Sequence, residues 1–489
     1  MTLSESPVVT IESGSVRGTV EDGVAAFRGI PYAASPVGER RFAAPVPHPA
    51  WSGVRDADRP GPSVPQSPSR LEAVMGPRTP DWDEDGCLTL NVWTPRPPAD
   101  GSAPGALPVL VWFHGGGFTS GSGGWDWYDG RHLAAAGRAV VVTANYRLGP
   151  LGYLYLPDLG IENLGVQDQA AVLAWVRRNI AAFGGDPGSL TVGGQSAGAF
   201  SALYLAVSPT TGPLVNRVIA QSGPFGLAPQ DPEEASDHAR RFLGFLGILG
   251  PGGTRDRGAA LRAVPADRLL AAYQRLSREA ARPGNVAPPM YPVLGASGIP
   301  ATWQQALVDG RLDGKGLLTG TTRNEMASFF ALAPRIREIT ADRARSIAAG
   351  QADGGDERYD RIAARRPNAT PADILTEFET GLVFRDDTLA IADRHAAAGN
   401  PTYVYRFDHV PVPDPAGLGA AHCVELPFFF DTFDAYPDSP MLGEATAAVR
   451  SLGGTFSRAI AAFVATGRPA ADQWHPYEPA DPATVRHFG

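Results

Sequence analysis

Six short apolar runs rich in β-branched residues, at 109–113, 139–143, 190–192, 218–220, 317–319 and 403–407, are separated along the chain by stretches with helical spacing. Val166, Ala170, Leu173, Val176 and Ile180 fall on one face of the clearest predicted helix, which begins near Val166. Phe183-Gly184-Gly185-Asp186-Pro187 ends it. Strand and helix alternating in this way predict an α/β protein built on a mostly parallel sheet.

The run that ends at Gly193 leads into Gly194-Gln195-Ser196-Ala197-Gly198, and the segment from Ala199 to Leu205 is free of glycine and proline. A serine between two glycines at a strand-to-helix turn predicts a nucleophile elbow, because the turn residue must take a crowded backbone conformation that only small neighbours tolerate. A second signal precedes it, where Phe113-His114-Gly115-Gly116-Gly117-Phe118 follows the apolar run 107–112. Glycines there let backbone amides approach a developing oxyanion, so Gly116, Gly117 and Ala197 are the expected donors if the two loops are neighbours.

Composition narrows the remaining choices. The 489 residues are 43% hydrophobic, enough for a large core, and no linker or repeat divides the chain. The stretches 59–68 and 250–258 read as long surface loops. A formal net charge of −9 without a basic cluster excludes nucleic acid as an expected partner. The start of the chain lacks a signal-peptide pattern, and no apolar run approaches membrane-spanning length, so the expectation is a cytoplasmic protein with no membrane partner. Cys87 and Cys423 are the only cysteines, which predicts free thiols, no disulfide framework and no metal site. No cofactor is expected.

A serine nucleophile needs a base and the base an orienting acid. Glu325 is the best acid, since it follows the predicted strand 317–319 on a loop at one sheet end, with Asp309 and Asp313 as alternatives. Of the five histidines beyond it, His422 stands out because small residues precede it and Pro427 restrains the segment after it. His395, His409, His475 and His487 read as surface histidines.

Segments 27–33, 88–93, 114–118, 145–152, 163–169 and 175–187, then the elbow, 320–325 and 419–430, make the chain resemble the type B carboxylesterase and cholinesterase-like family over nearly its whole length. The resemblance implies one α/β-hydrolase domain over 1–489, with helical cap insertions near 225–300 and 325–395 over a gorge. It implies a Ser196, Glu325, His422 triad hydrolysing esters through an acyl-enzyme. Carbamate or aryl-amide hydrolysis by the same triad is the enzymatic alternative, and a non-catalytic binding protein is the competing class.

The resemblance further implies that Arg147 and Asp168 form a buried ion pair bracing the elbow, that Ser222 hydrogen-bonds the triad acid, and that His114 is scaffold. Phe118, Phe225 and Phe329 are candidate substrate contacts, and Trp125 and Trp127 candidate stacking partners. The substrate is expected to be a small, uncharged or weakly charged ester, and the protein a monomer or homodimer. Four departures from the family pattern stand out. Gln195 replaces a glutamate, Met326 replaces a glycine and predicts a narrower pocket, Gly86 is extra and the cysteine expected near Val64 is absent, and the chain ends early after His487-Phe488-Gly489.

Overall fold

A computed structural model describes residues 6–78, 81–95, 106–248, 254–470 and 474–489. Its frame is a ten-stranded sheet. In chain order the strands are β1 (Thr19–Glu21), β2 (Val24–Pro31), β3 (Thr89–Thr94), β4 (Leu107–Phe113), β5 (Val140–Ala144), β6 (Gly185–Gln195), β7 (Arg217–Gln221), β8 (Gly316–Thr322), β9 (Thr402–Phe407) and β10 (Val485–Phe488). Their spatial order is β10-β9-β8-β7-β6-β4-β5-β3-β2-β1. Pairing is parallel from β10 through β5 and antiparallel from β5 to β1.

The parallel strands are covered on both faces, which is why they read as unbroken apolar runs. Along β4, Val109, Val111 and Phe113 belong to one hydrophobic cluster while Leu110 and Trp112 belong to another. This is the two-residue alternation of a strand between two layers. All six strands predicted from the apolar runs are present, and 190–192 is the middle of the longer β6. The outer strands β1, β2, β3 and β10 carry weaker signals, as does a small separate sheet of Val8–Ile11, Gly14–Arg17 and Val54–Asp56.

The predicted amphipathic helix spans Leu164–Asn179, tightens into a 3-10 turn over Ile180–Phe183, and stops at left-handed Gly184. The helix after the elbow is Ala197–Val207, buried throughout. Between 225 and 300 the chain forms helices Pro232–Leu246, Thr254–Arg262 and Ala266–Ala280. Between 325 and 395 it forms Ala341–Gln351, Gly355–Arg365, Pro371–Thr380 and Asp386–Ala397, the last two joined by a π-helical turn over Gly381–Arg385. This second segment has its own apolar cluster around Phe378, Ile347 and Phe384.

Several expectations need correction. Loop 59–68 is not all surface, because Ser63 to Gln66 are buried and Gln66 is bonded into the glycine loop. Of the expected loop 250–258, residues 250–253 lie outside the described residues and the rest begins a helix. His395 is buried rather than surface, with Nδ1 2.7 Å from the Thr402 hydroxyl, and His409 is half-buried against Phe428. Met326 packs into the second helical segment's apolar cluster and does not narrow the cavities at Ser196. No helix among the described residues is long and apolar enough to cross a membrane.

Candidate active site

Ser196 sits at the sharp turn between β6 and the helix Ala197–Val207, with φ 57° and ψ −124°. A side chain rarely adopts this conformation, and surrounding structure must enforce it. Two features do so. The Ser196 amide donates to Gln221 O at 2.9 Å, and a Cβ at Gly198 would collide with the Phe113 carbonyl, so only glycine lets the helix start this close to β4. Register sets Gln195 opposite Gln221 on β7, and Gly194 opposite Phe113 on β4. The elbow and the glycine loop therefore leave neighbouring strand ends together.

In the glycine loop, Gly116 has φ 107° and Gly117 φ 61°. The amides of Gly116, Gly117 and Ala197 donate to no acceptor among the described residues. His114 braces this loop from behind, with Nδ1 2.8 Å from Gly115 O and its ring stacked on Tyr146 at 4.5 Å. Burial lowers its pKa to about 4, so it stays neutral, as a scaffold residue should. Gln66 holds the far side, donating to Gly121 O at 2.8 Å and accepting from the Gly121 amide at 2.7 Å.

The acid and histidine loops leave the ends of β8 and β9. Asn324 stitches them together, its amide donating to Ala420 O at 2.8 Å and its side-chain oxygen accepting from the Ala420 amide at 3.2 Å. Glu325 and His422 are both fully buried, with His422 Nδ1 2.5 Å from Glu325 Oε2. Glu325 Oε1 accepts the Thr322 amide at 2.7 Å, which fixes the carboxylate. That bond places the Nδ1 proton toward Glu325 and leaves Nε2 as an acceptor. Asp309 and Asp313 instead lie in the turn region before β8, where Asp309 bonds Gln305 and Asp313 bonds Asn400.

Burial on its own lowers the His422 pKa, but Cys423 and Glu325 outweigh it and the imidazole is held well above its ordinary value. The Cys423 thiol is itself pushed up by burial and is neutral where histidine titrates, so Glu325 is the lasting cause. No hydrogen bond joins Ser196 to His422. Nε2 of the imidazole lies 3.3 Å from the Gln195 side-chain nitrogen, which also reaches Cys423 Sγ at 3.3 Å.

A second carboxylate stands beside the pair. Glu425 is fully buried, accepts the Ser222 hydroxyl at 2.7 Å, and is raised to about 7 by burial and by the Glu325 charge. Ser222 therefore bonds Glu425 and not the expected acid, whose oxygens are already used by Thr322 and His422. Glu425 was missed by sequence reasoning, although its place three residues after His422 on a tight turn was a usable signal.

Arg147 and Asp168 form the expected buried pair, Nε to Oδ2 at 2.8 Å and Nη2 to Oδ1 at 2.7 Å. Two cavities meet at Ser196. One is lined by Gly116, Gly117, Trp125, Trp127, Phe329 and His422, and the other by Phe118, Ala197, Phe200, Phe329 and Phe384. Phe118 and Phe329 thus face the serine. Phe225 does not, because its ring folds back against Gly223 and its carbonyl accepts the Trp303 indole; Pro224 and Leu227 line the cavity instead. Cys87 and Cys423 are both buried and free, and no group of acidic, histidine and cysteine residues among the described ones is placed to hold a metal.

A mostly parallel sheet with a serine elbow after β6, an acid loop after β8 and a histidine loop after β9 defines an α/β-hydrolase. A PNB esterase structure superposes on 96% of this chain and 93% of its own with a TM-score of 0.83 at 34% identity. Among curated proteins, phenmedipham hydrolase of Pseudarthrobacter oxydans is 36% identical over 98% of this chain and 94% of its own. Para-nitrobenzyl esterase of Bacillus subtilis is 37% identical over 96% and 92%. The model of the carboxylesterase family matches residues 5–487, and the chain belongs to that family. It is a hydrolase of ester bonds.

Proposed function

We propose that Ser196, His422 and Glu325 form a catalytic triad that hydrolyses carboxylic esters through an acyl-enzyme. The observation that carries this reading is one cavity lined by Ser196, Gly116, Gly117 and His422, with Glu325 behind the imidazole at 2.5 Å. As Ser196 Oγ attacks the ester carbonyl carbon, His422 Nε2 takes the hydroxyl proton and Glu325 steadies the imidazolium. The amides of Gly116, Gly117 and Ala197 receive the oxyanion, each worth about 100- to 1,000-fold in turnover in comparable sites. His422 then protonates the departing alkoxide. Water, activated by the same imidazole, releases the acid and restores Ser196.

For His422 to reach Ser196, the Gln195 amide must yield its place at Nε2, and such bonds commonly tighten only when substrate is bound. The helical segments 225–300 and 325–395 act as the cap, since Leu227, Val286 and Tyr291 from the first and Phe329 and Phe384 from the second wall the cavity at Ser196. Arg147 and Asp168 support the elbow, and Ser222 acts through Glu425. A second reading, hydrolysis of carbamates by the same acyl-enzyme route, is favoured by similarity to phenmedipham hydrolase.

Steady-state hydrolysis of p-nitrophenyl esters of increasing acyl length, with an aryl carbamate alongside, tests both readings. Ester turnover is expected to exceed carbamate turnover and to vanish in Ser196→Ala. A higher kcat/KM for the carbamate would favour the second reading, and turnover surviving in Ser196→Ala would refute the triad.

A further inference from the structure

Arg70 is the charged side chain common to the two cavities that meet at Ser196. It precedes the short helix Glu72–Met75 and is an exposed residue at the mouth of both cavities. Nη2 donates to Val286 O at 3.0 Å, and the group lies 6.0 Å above the Phe329 ring. A Cβ built on Gly117 would lie 3.1 Å from Nη2, so the cation stands beside the glycine loop. No carboxylate among the described residues pairs with it, and neither cavity has an acidic side chain in its wall.

Surrounding protein lowers the Arg70 pKa through burial, yet a guanidinium stays charged at any working pH. By accessible surface the residue is exposed, so water reaches the guanidinium while protein crowds one side of it. Of its five N–H donors, one is used by Val286 O and no other has an acceptor among the described residues. The residue borders a cavity walled mainly by Phe118, Phe200, Leu227, Val286 and Phe329. A planar fork of donors in a mostly apolar, partly desolvated cleft suits one ligand group above others, a carboxylate held by paired charge-assisted bonds.

We propose that Arg70 selects esters that carry a carboxylate within a few bonds of the scissile carbonyl. This rests on the reading of Ser196 as nucleophile and replaces the expectation of an uncharged substrate. The carboxylate sits on whichever side of the ester the larger cavity receives, so the test examines both. Arg70 is a specificity residue and takes no part in bond making.

The experiment compares 3-acetoxybenzoate with 3-acetoxybenzamide, and monophenyl adipate with the phenyl ester of adipic monoamide, using wild type, Arg70→Gln and Arg70→Lys at low and high salt. The expected result is a charged-to-neutral ratio of kcat/KM that falls about 10- to 100-fold in Arg70→Gln for at least one pair, is partly kept in Arg70→Lys, and weakens with salt. Benzoate should also inhibit wild-type hydrolysis of the neutral esters more tightly than benzamide does, a readout that needs no variant. Neutral esters turned over with an unmoved ratio and equal inhibition by benzoate and benzamide would overturn the proposal while leaving the esterase reading intact. Failure of wild type to cleave any of the four would overturn both.

Discussion

The side-chain nitrogen of Gln195 lies 3.3 Å from Nε2 of His422, the nitrogen that receives the serine proton in the proposed triad. An amide there can donate to the neutral ring without adding charge. A carboxylate would instead favour the imidazolium and raise the pKa of the base. Because the proposed triad needs the neutral ring, Gln195→Glu should move the acidic limb of kcat/KM to higher pH, by about one unit. A pH profile on one neutral ester checks this, and an unmoved limb would mean that Gln195 does not act on the base.

The Arg147–Asp168 pair is buried on both sides, so the two partners are not equivalent to surface charges. Asp168→Asn leaves the guanidinium enclosed without its counter-charge, which typically costs about 3–5 kcal/mol. The midpoint of denaturant unfolding should fall accordingly, and a loss below about 1 kcal/mol would show that Arg147 is satisfied by other acceptors such as Ala43 O.

Glu379 is fully buried with neither carboxylate oxygen bonded among the described residues, and burial raises its pKa to about 8, with Arg358 opposing the shift. Between the ordinary value of 4.5 and about 8, the folded state keeps a proton that the unfolded chain releases. Stability from this group therefore falls as pH rises through that window. Glu379→Gln should flatten the decline and be the more stable protein above about pH 8. Unfolding midpoints at the two ends of the window measure this, and parallel curves for both proteins would contradict it.

Much of the site was legible because its signals are local. Gly194 and Gly198 flank Ser196 within five residues, and the crowding they relieve is visible in the sequence before any contact is known. His422 could be nominated from the small residues around it. What escaped is long-range. Ser222 and Glu425 are 203 residues apart, so the serine's true partner could not be read from either neighbourhood. Gln66 looked like part of a surface loop because proline and serine surround it, yet its amide completes the glycine loop. Phe225 is a candidate because it closely follows Ser222, but a ring's direction is set by packing that sequence spacing does not encode. Arg70, in the same polar stretch as Gln66, gave no sign that it would face Ser196.

The most direct test of the central claim is to treat the wild-type protein with an organophosphate ester and locate the adduct by peptide mass spectrometry. A single adduct on Ser196 is expected, lost in Ser196→Ala and greatly slowed in His422→Ala. An adduct on another residue, or undiminished labelling of Ser196→Ala, would contradict it.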